Sequence, residues 1–174
     1  MTEHARVVLQ DCKHAIEKHT QDLQAEDFRI SWISIVTLLR AIGHVLDKVD
    51  ANQSPAMRKA IDEKYKELKK NEPEPRIFWS FIEEERNRFL KEYKHGVVRT
   101  INLKTKNPNL YVSLDLANSR GGKIIGLRKY DKSYISSGEF KGKNELEIAW
   151  FAYDWWKKYL DEIDSFARQY QNKK

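Results

Sequence analysis

The spacing of apolar residues changes period twice along this chain, and no other feature constrains its fold as strongly. From about residue 8 to residue 94 apolar side chains recur every three or four positions, as on one face of a helix. From 97 to 140 the recurrence is close to two, as in a half-buried strand, and from 146 it returns to the helical value. The expected fold is therefore mainly α: a helical bundle with a small inserted antiparallel β-sheet, α+β overall. Residues 1–96 form the helical part, 97–143 a basic β-meander insertion, and 144–174 the closing helix of the same domain.

Each segment has its own signals. Val8, Cys12, Ala15, Ile16, His19 and Leu23 make one stripe of a first helix. Phe28, Trp32, Ile35, Val36, Leu39, Ile42, Gly43 and Leu46 make a wide apolar face over residues 27–50, expected to be the central core helix. Ser54 followed by Pro55 is an N-cap with proline at the first helical position, opening a polar surface helix to about residue 70 whose weak stripe is Met57, Ile61, Tyr65 and Leu68. Pro73 and Pro75 force extended backbone before them and separate it from a fourth helix, about residues 76–95, with Phe78, Phe81, Ile82, Phe89, Leu90 and Tyr93 on its stripe and Gly96 as its expected stop. Strand-like runs at 97–103, 111–116, 123–127 and 133–140 are divided by Asn107-Pro108-Asn109 and by Asn118 to Gly122, which predicts three or four strands. Asn144 with Glu147 three residues on opens the last helix, whose stripe runs from Leu146 to Tyr170.

Charge is unevenly placed. Residues 1–96 hold 17 Lys/Arg and 17 Asp/Glu, residues 97–143 hold 10 and 3, and residues 144–174 hold 5 and 6, so the whole net charge of +6 belongs to the middle segment. A concentration of this kind attracts phosphate or an acidic partner, and it equally discourages aggregation at a sheet edge. Cys12 has no second cysteine to pair with, which fits a reducing compartment. No continuous apolar run of the roughly 20 residues needed to span a bilayer is present, so the expectation is a cytoplasmic protein without membrane contact.

Most catalytic signatures are missing. Gly121-Gly122-Lys123 with Gly126 lacks the spacing of a phosphate-binding loop and suits a hairpin. His14 and His19 stand about 140° apart on a helix and cannot share a metal, so neither a metal nor a cofactor is expected. Cys12 reads as a small core residue and the aromatic stretch 150–156 as packing. Residues 81–95 differ, because Arg86 sits beside the apolar stripe and Asn87 favours caps over helix interiors. Local conflicts of this type are enriched at functional sites. The plain structural alternative pairs Glu83 with Arg86 or Asn87, and Glu84 with Arg88.

Arg86-Asn87, the spacer 88–90, then Lys91 and Tyr93 resemble the Arg-Asn-x-x-x-His-x-Tyr motif of the HEPN superfamily, with Lys91 where the catalytic His stands. Many members are metal-independent ribonucleases. The resemblance covers residues 3–95 and the closing helix. It implies a HEPN-like RNA- or partner-binding regulatory protein of a defence or toxin–antitoxin type, dimeric through the motif helix and catalytically degenerate. Lysine, with an ordinary pKa of ~10.4, shuttles protons poorly near neutral pH, although it can hold phosphate. A second registration sets Arg88 against His95, two helical turns and about 10.5 Å of rise further on. The alternatives are thus an active metal-independent endoribonuclease using Arg86 or Arg88, Asn87 and His95, and a structural protein-interaction module. The candidate RNA or anion contacts are Arg86, Lys91 and Tyr93 on the helix and Arg120, Lys123, Arg128 and Lys129 in the basic segment.

Overall fold

A computed structural model describes residues 1–100 and 132–171. Helix α1 spans Glu3–Lys18, α2 Ala25–Lys48, α3 Pro55–Lys70, α4 Glu84–Glu92 and α5 Glu145–Gln171, with a 3-10 turn at Asp50–Gln53 and a π-helical turn, Ile77–Glu83, leading into α4. Strands β1 (Val97–Thr100) and β2 (Lys132–Ile135) form an antiparallel sheet in which Val97 faces Ile135 and Arg99 faces Ser133. Among the described residues the protein is mainly helical with this small two-stranded sheet.

Helix α2 is central, because the stripe read from its sequence is the core. Phe28, Trp32, Ile35, Val36, Leu39, Ile42 and Leu46 are all buried. Helix α1 lies along it and also touches α5, and α3 packs on α5. Residues 25–52, which include α2, are long and apolar enough by length and composition to cross a membrane, with a mean hydropathy of 1.4. The expectation that no such segment exists was too narrow, since it counted unbroken apolar runs rather than mean hydropathy over a helix. In this fold 33% of that apolar window is buried.

Two local caps act as their sequences predict. Ser54 Oγ accepts the Met57 N–H at 3.2 Å, and Asn144 Oδ1 accepts the N–H groups of Leu146 and Glu147 at 3.0 and 3.1 Å. The start of α1 is held from a distance instead. The buried Asp50 carboxylate accepts from the backbone of His4 and Ala5, at 3.1 and 2.9 Å, and Asp164 of α5 accepts from Thr2 N and Oγ1, at 2.7 and 2.9 Å. Carboxylates suit the partial positive charge of a helix N-terminus.

The structure corrects several expected boundaries. Helix α1 ends at Lys18, so His19 and Leu23 lie beyond the stripe to which they were assigned. The fourth helix is not one α-helix. Its first part closes the wider π turn, which buries Ile77, Phe78, Phe81 and Ile82 together and sets Phe78 against Trp155 and Trp156, with ring centroids 5.3 and 5.9 Å apart. Its end comes at Glu92, where Tyr93 takes the left-handed conformation (φ 52°), so Gly96 is not the stop. The last expected strand is cut short at Ile135, and Gly138 and Gly142, both at positive φ, turn the chain toward α5. The runs at 111–116 and 123–127 lie outside the described residues, as do Arg120, Lys123, Arg128 and Lys129.

Candidate functional site

The motif helix is organised around a carboxylate that the sequence reading left out. Glu85 is 4% exposed, and its two oxygens accept three hydrogen bonds: from Trp32 Nε1 at 3.1 Å, from the Gly96 N–H at 2.5 Å and from Arg88 Nη1 at 2.9 Å. A buried charge is tolerated where it is paired and its remaining lone pairs are occupied, and Glu85 meets both conditions. Arg88 is thereby a structural ion-pair partner. The expected pairings differ accordingly: Arg88 joins Glu85 rather than Glu84, and Glu83 lies 4.0 Å from Arg40 rather than beside Arg86.

Arg86 is half-buried, and its Nη1 donates to Asn87 Oδ1 at 2.8 Å. Among the described residues no carboxylate forms an ion pair with it. Lys91 and Tyr93 are exposed. Five positions of an α-helix separate Arg86 from Lys91, about 140° of rotation, so the two do not share a face. His95 lies past the left-handed Tyr93, so the two-turn separation from Arg88 does not apply. Its Nδ1 accepts the Val97 N–H at 3.3 Å, and its ring lies 6.4 Å from that of Phe28.

Arg86 is grouped instead with α2. Arg40, His44 and Lys48 follow one another at four-residue intervals along that helix. Burial, followed by the positive charges of Arg40, Arg86 and Lys48, holds the His44 imidazole below its ordinary pKa against the opposing charge of Asp47. The charge of Arg86 thus acts on His44 of another helix, where Arg40 stands 4.0 Å from Glu83 and Lys48 2.8 Å from Asp47. The signal was present in the sequence only as the i, i+4, i+8 spacing of Arg40, His44 and Lys48. Nothing local linked them to Arg86.

A second polar cluster, also missed, lies at the start of α5. Glu145 is fully buried and accepts from Ser133 Oγ at 2.6 Å, while Gln21 Nε2 lies 2.5 Å from the same serine oxygen. His19 is bonded through Nδ1 to Ser31 Oγ at 2.9 Å, and its Nε2 is 3.9 Å from Glu145 Oε1. Arg99 donates to the Gln21 carbonyl at 2.6 Å and stacks over the Phe28 ring at 4.1 Å. Serine, histidine and glutamate are thus close together. Ser133 hydrogen-bonds the carboxylate and Ser31 the imidazole, and the 3.9 Å between His19 Nε2 and Glu145 Oε1 is too long for the hydrogen bond that would join them into a relay. The cluster joins β2, α5 and the turn after α1.

Cys12 is buried in the core, where burial pushes its thiol up to about 12, and its sulfur lies 4.0 Å from the Ile35 carbonyl oxygen. It is a packing residue. No protein-family model matches this chain, and no curated protein or solved structure is similar to it.

Proposed function

We propose that this protein is a HEPN-like RNA-binding regulatory protein whose motif helix binds phosphate without cleaving it, with Arg86 at the centre of the contact. The observation that carries this reading is Arg86 itself, half-buried, bonded to Asn87 and with no carboxylate paired to it among the described residues, its charge acting on His44 of α2. A guanidinium without a carboxylate counter-ion among the described residues is available to a phosphate oxygen of a polyanion. Lys91 in the position of the motif histidine supplies no neutral-pH proton shuttle. Leu90 and Tyr93, 59% and 65% exposed on and just beyond α4, are the apolar surface that a homodimer through this helix would cover.

The test is RNA affinity as a function of salt, together with RNA cleavage in chelator. Salt-sensitive binding that falls about tenfold or more in Arg86→Ala, with intact RNA throughout, is the expected result. Salt-independent or absent binding removes the proposal in favour of a protein-interaction module. Catalysis is the second reading, favoured by one observation: His44 places an imidazole, the side chain suited to proton transfer near neutral pH, within the field of Arg86. Cleavage in chelator that disappears in His44→Ala supports that enzyme, and cleavage that disappears in His95→Ala supports the Arg88 and His95 registration.

A further inference from the structure

Beneath the cationic row, between α2, α3, the π turn and α5, lies a cavity of about 330 Å³. Its volume is within the range of small-molecule sites. Leu46, Ile61, Leu68 and Phe78 supply apolar wall, all of them buried. Two of its lining residues carry buried N–H groups with no hydrogen-bond partner among the described residues: Trp156 Nε1, on a side chain 2% exposed, and Arg40 Nε. Native proteins rarely leave such donors unanswered.

The two side chains meet at one corner. Gly43 lies between their side chains, and a Cβ added there would stand 3.0 Å from Trp156 Cη2, 3.5 Å from Cζ2 and 3.4 Å from Arg40 Nη1. Cζ2 is on the same side of the indole as Nε1, so glycine keeps this corner open where any other residue would narrow it. The opposite end is electrically occupied. Asp47 and Asp62 line it, but Asp47 is 2.8 Å from both Arg58 and Lys48, and Asp62 is 3.7 Å from Arg58. Among the described residues Arg40 has one carboxylate, Glu83, at 4.0 Å, and its guanidinium lies 5.9 Å from the centre of the Phe78 ring.

We propose that this cavity binds a small organic monoanion with an apolar body, of the class of a medium-chain carboxylic acid, whose carboxylate meets the Arg40 guanidinium beside Trp156. A single negative charge suits a corner with one underpaired guanidinium. The carboxylates of Asp47 and Asp62 in the lining, with Glu83 beside Arg40, disfavour a dianion or a polyanion inside the cavity. The apolar wall accounts for the tail, since burying it is favourable in proportion to its area.

Octanoate, 1-octanol and inorganic phosphate are the probes, used with the full chain and read by calorimetry and by the indole N–H resonances in a proton–nitrogen spectrum. The Trp156 signal is assigned by its loss in Trp156→Phe. Octanoate is expected to bind saturably at one site below its micelle concentration and to shift the Trp156 resonance. 1-Octanol is expected to bind at least tenfold more weakly, and phosphate not to bind. Arg40→Gln, which alters a partly exposed side chain, should weaken octanoate at least tenfold, and Ile61→Phe, which fills the cavity, should do the same by a different route. Non-saturable binding, equal affinity for octanol, an unmoved Trp156 resonance or full affinity in Arg40→Gln would each overturn the proposal.

Discussion

At the scale of single residues, Glu85 has the largest consequence for the fold. Its carboxylate answers an indole and a backbone amide that would otherwise be buried without an acceptor, and pairs with the half-buried Arg88 guanidinium. Removing one partner of a buried pair strands the others, so Glu85→Ala is expected to lower stability by about 3–5 kcal/mol in urea unfolding. Glu85→Gln, which keeps one acceptor oxygen, should lose less. His19 has a signed pH consequence. Burial, helped by Arg99 and His95, brings its imidazole down to about 4. The unfolded chain binds that proton near pH 6.5 and the folded chain resists it. The contribution is therefore complete above 6.5 and is lost as the pH falls toward 4, by up to about 3 kcal/mol. Burial raises the Glu145 carboxyl, which acts in the opposite sense: its share of stability is present below its unfolded value and is lost as the pH rises through the folded one. In a Glu145→Gln background, His19→Asn should flatten the acid limb of urea stability between pH 6.5 and 4. An unchanged slope would show that His19 titrates normally in the fold.

At the scale of elements, the end of the motif helix was the least legible feature, and its cause is steric. Glycine after a helical stripe is the usual sign of a stop, and Gly96 carries that sign three residues too late. Tyr93 makes the left-handed turn, and Gly96 serves another need. It is buried, its N–H meets Glu85, and a Cβ there would fall 2.7 Å from Glu85 Oε2 and against Arg88 Nη1. Gly96→Ala should cost about 1–3 kcal/mol in thermal denaturation through overpacking. A neutral substitution would mean that the Glu85–Arg88 pair gives way freely. The π turn was illegible for a related reason, because Phe78 and Phe81 have helical spacing in either geometry. The wider turn follows from what they meet: Trp155 and Trp156 on one side, Trp32 and Phe140 on the other.

At the scale of the whole molecule, the two ends of the chain are tied together. Thr2 and Arg6 of the N-terminal region bond Asp164 of α5, with the Arg6 Nη2 contact at 2.8 Å, while Asp50 holds the first backbone amides of α1. Asp164→Ala should therefore destabilise the entire bundle by about 3–5 kcal/mol and speed amide exchange in the first turn of α1, far away in sequence. Exchange confined to α5 would refute that coupling. The same distinction separates what the sequence determined from what tertiary structure decided. Element type, the central place of α2 and the caps at Ser54 and Asn144 depend on periodicity and on contacts three or four residues apart, which are properties of the chain itself. The resting place of Arg88 on Glu85, the grouping of Arg86 with His44, and the burial of His19 beside Glu145 depend on partners that folding brings from other elements. Such pairings are dictated by desolvation, since a buried polar group must take whichever partner lies within reach in space, and one-dimensional spacing carries no record of that distance.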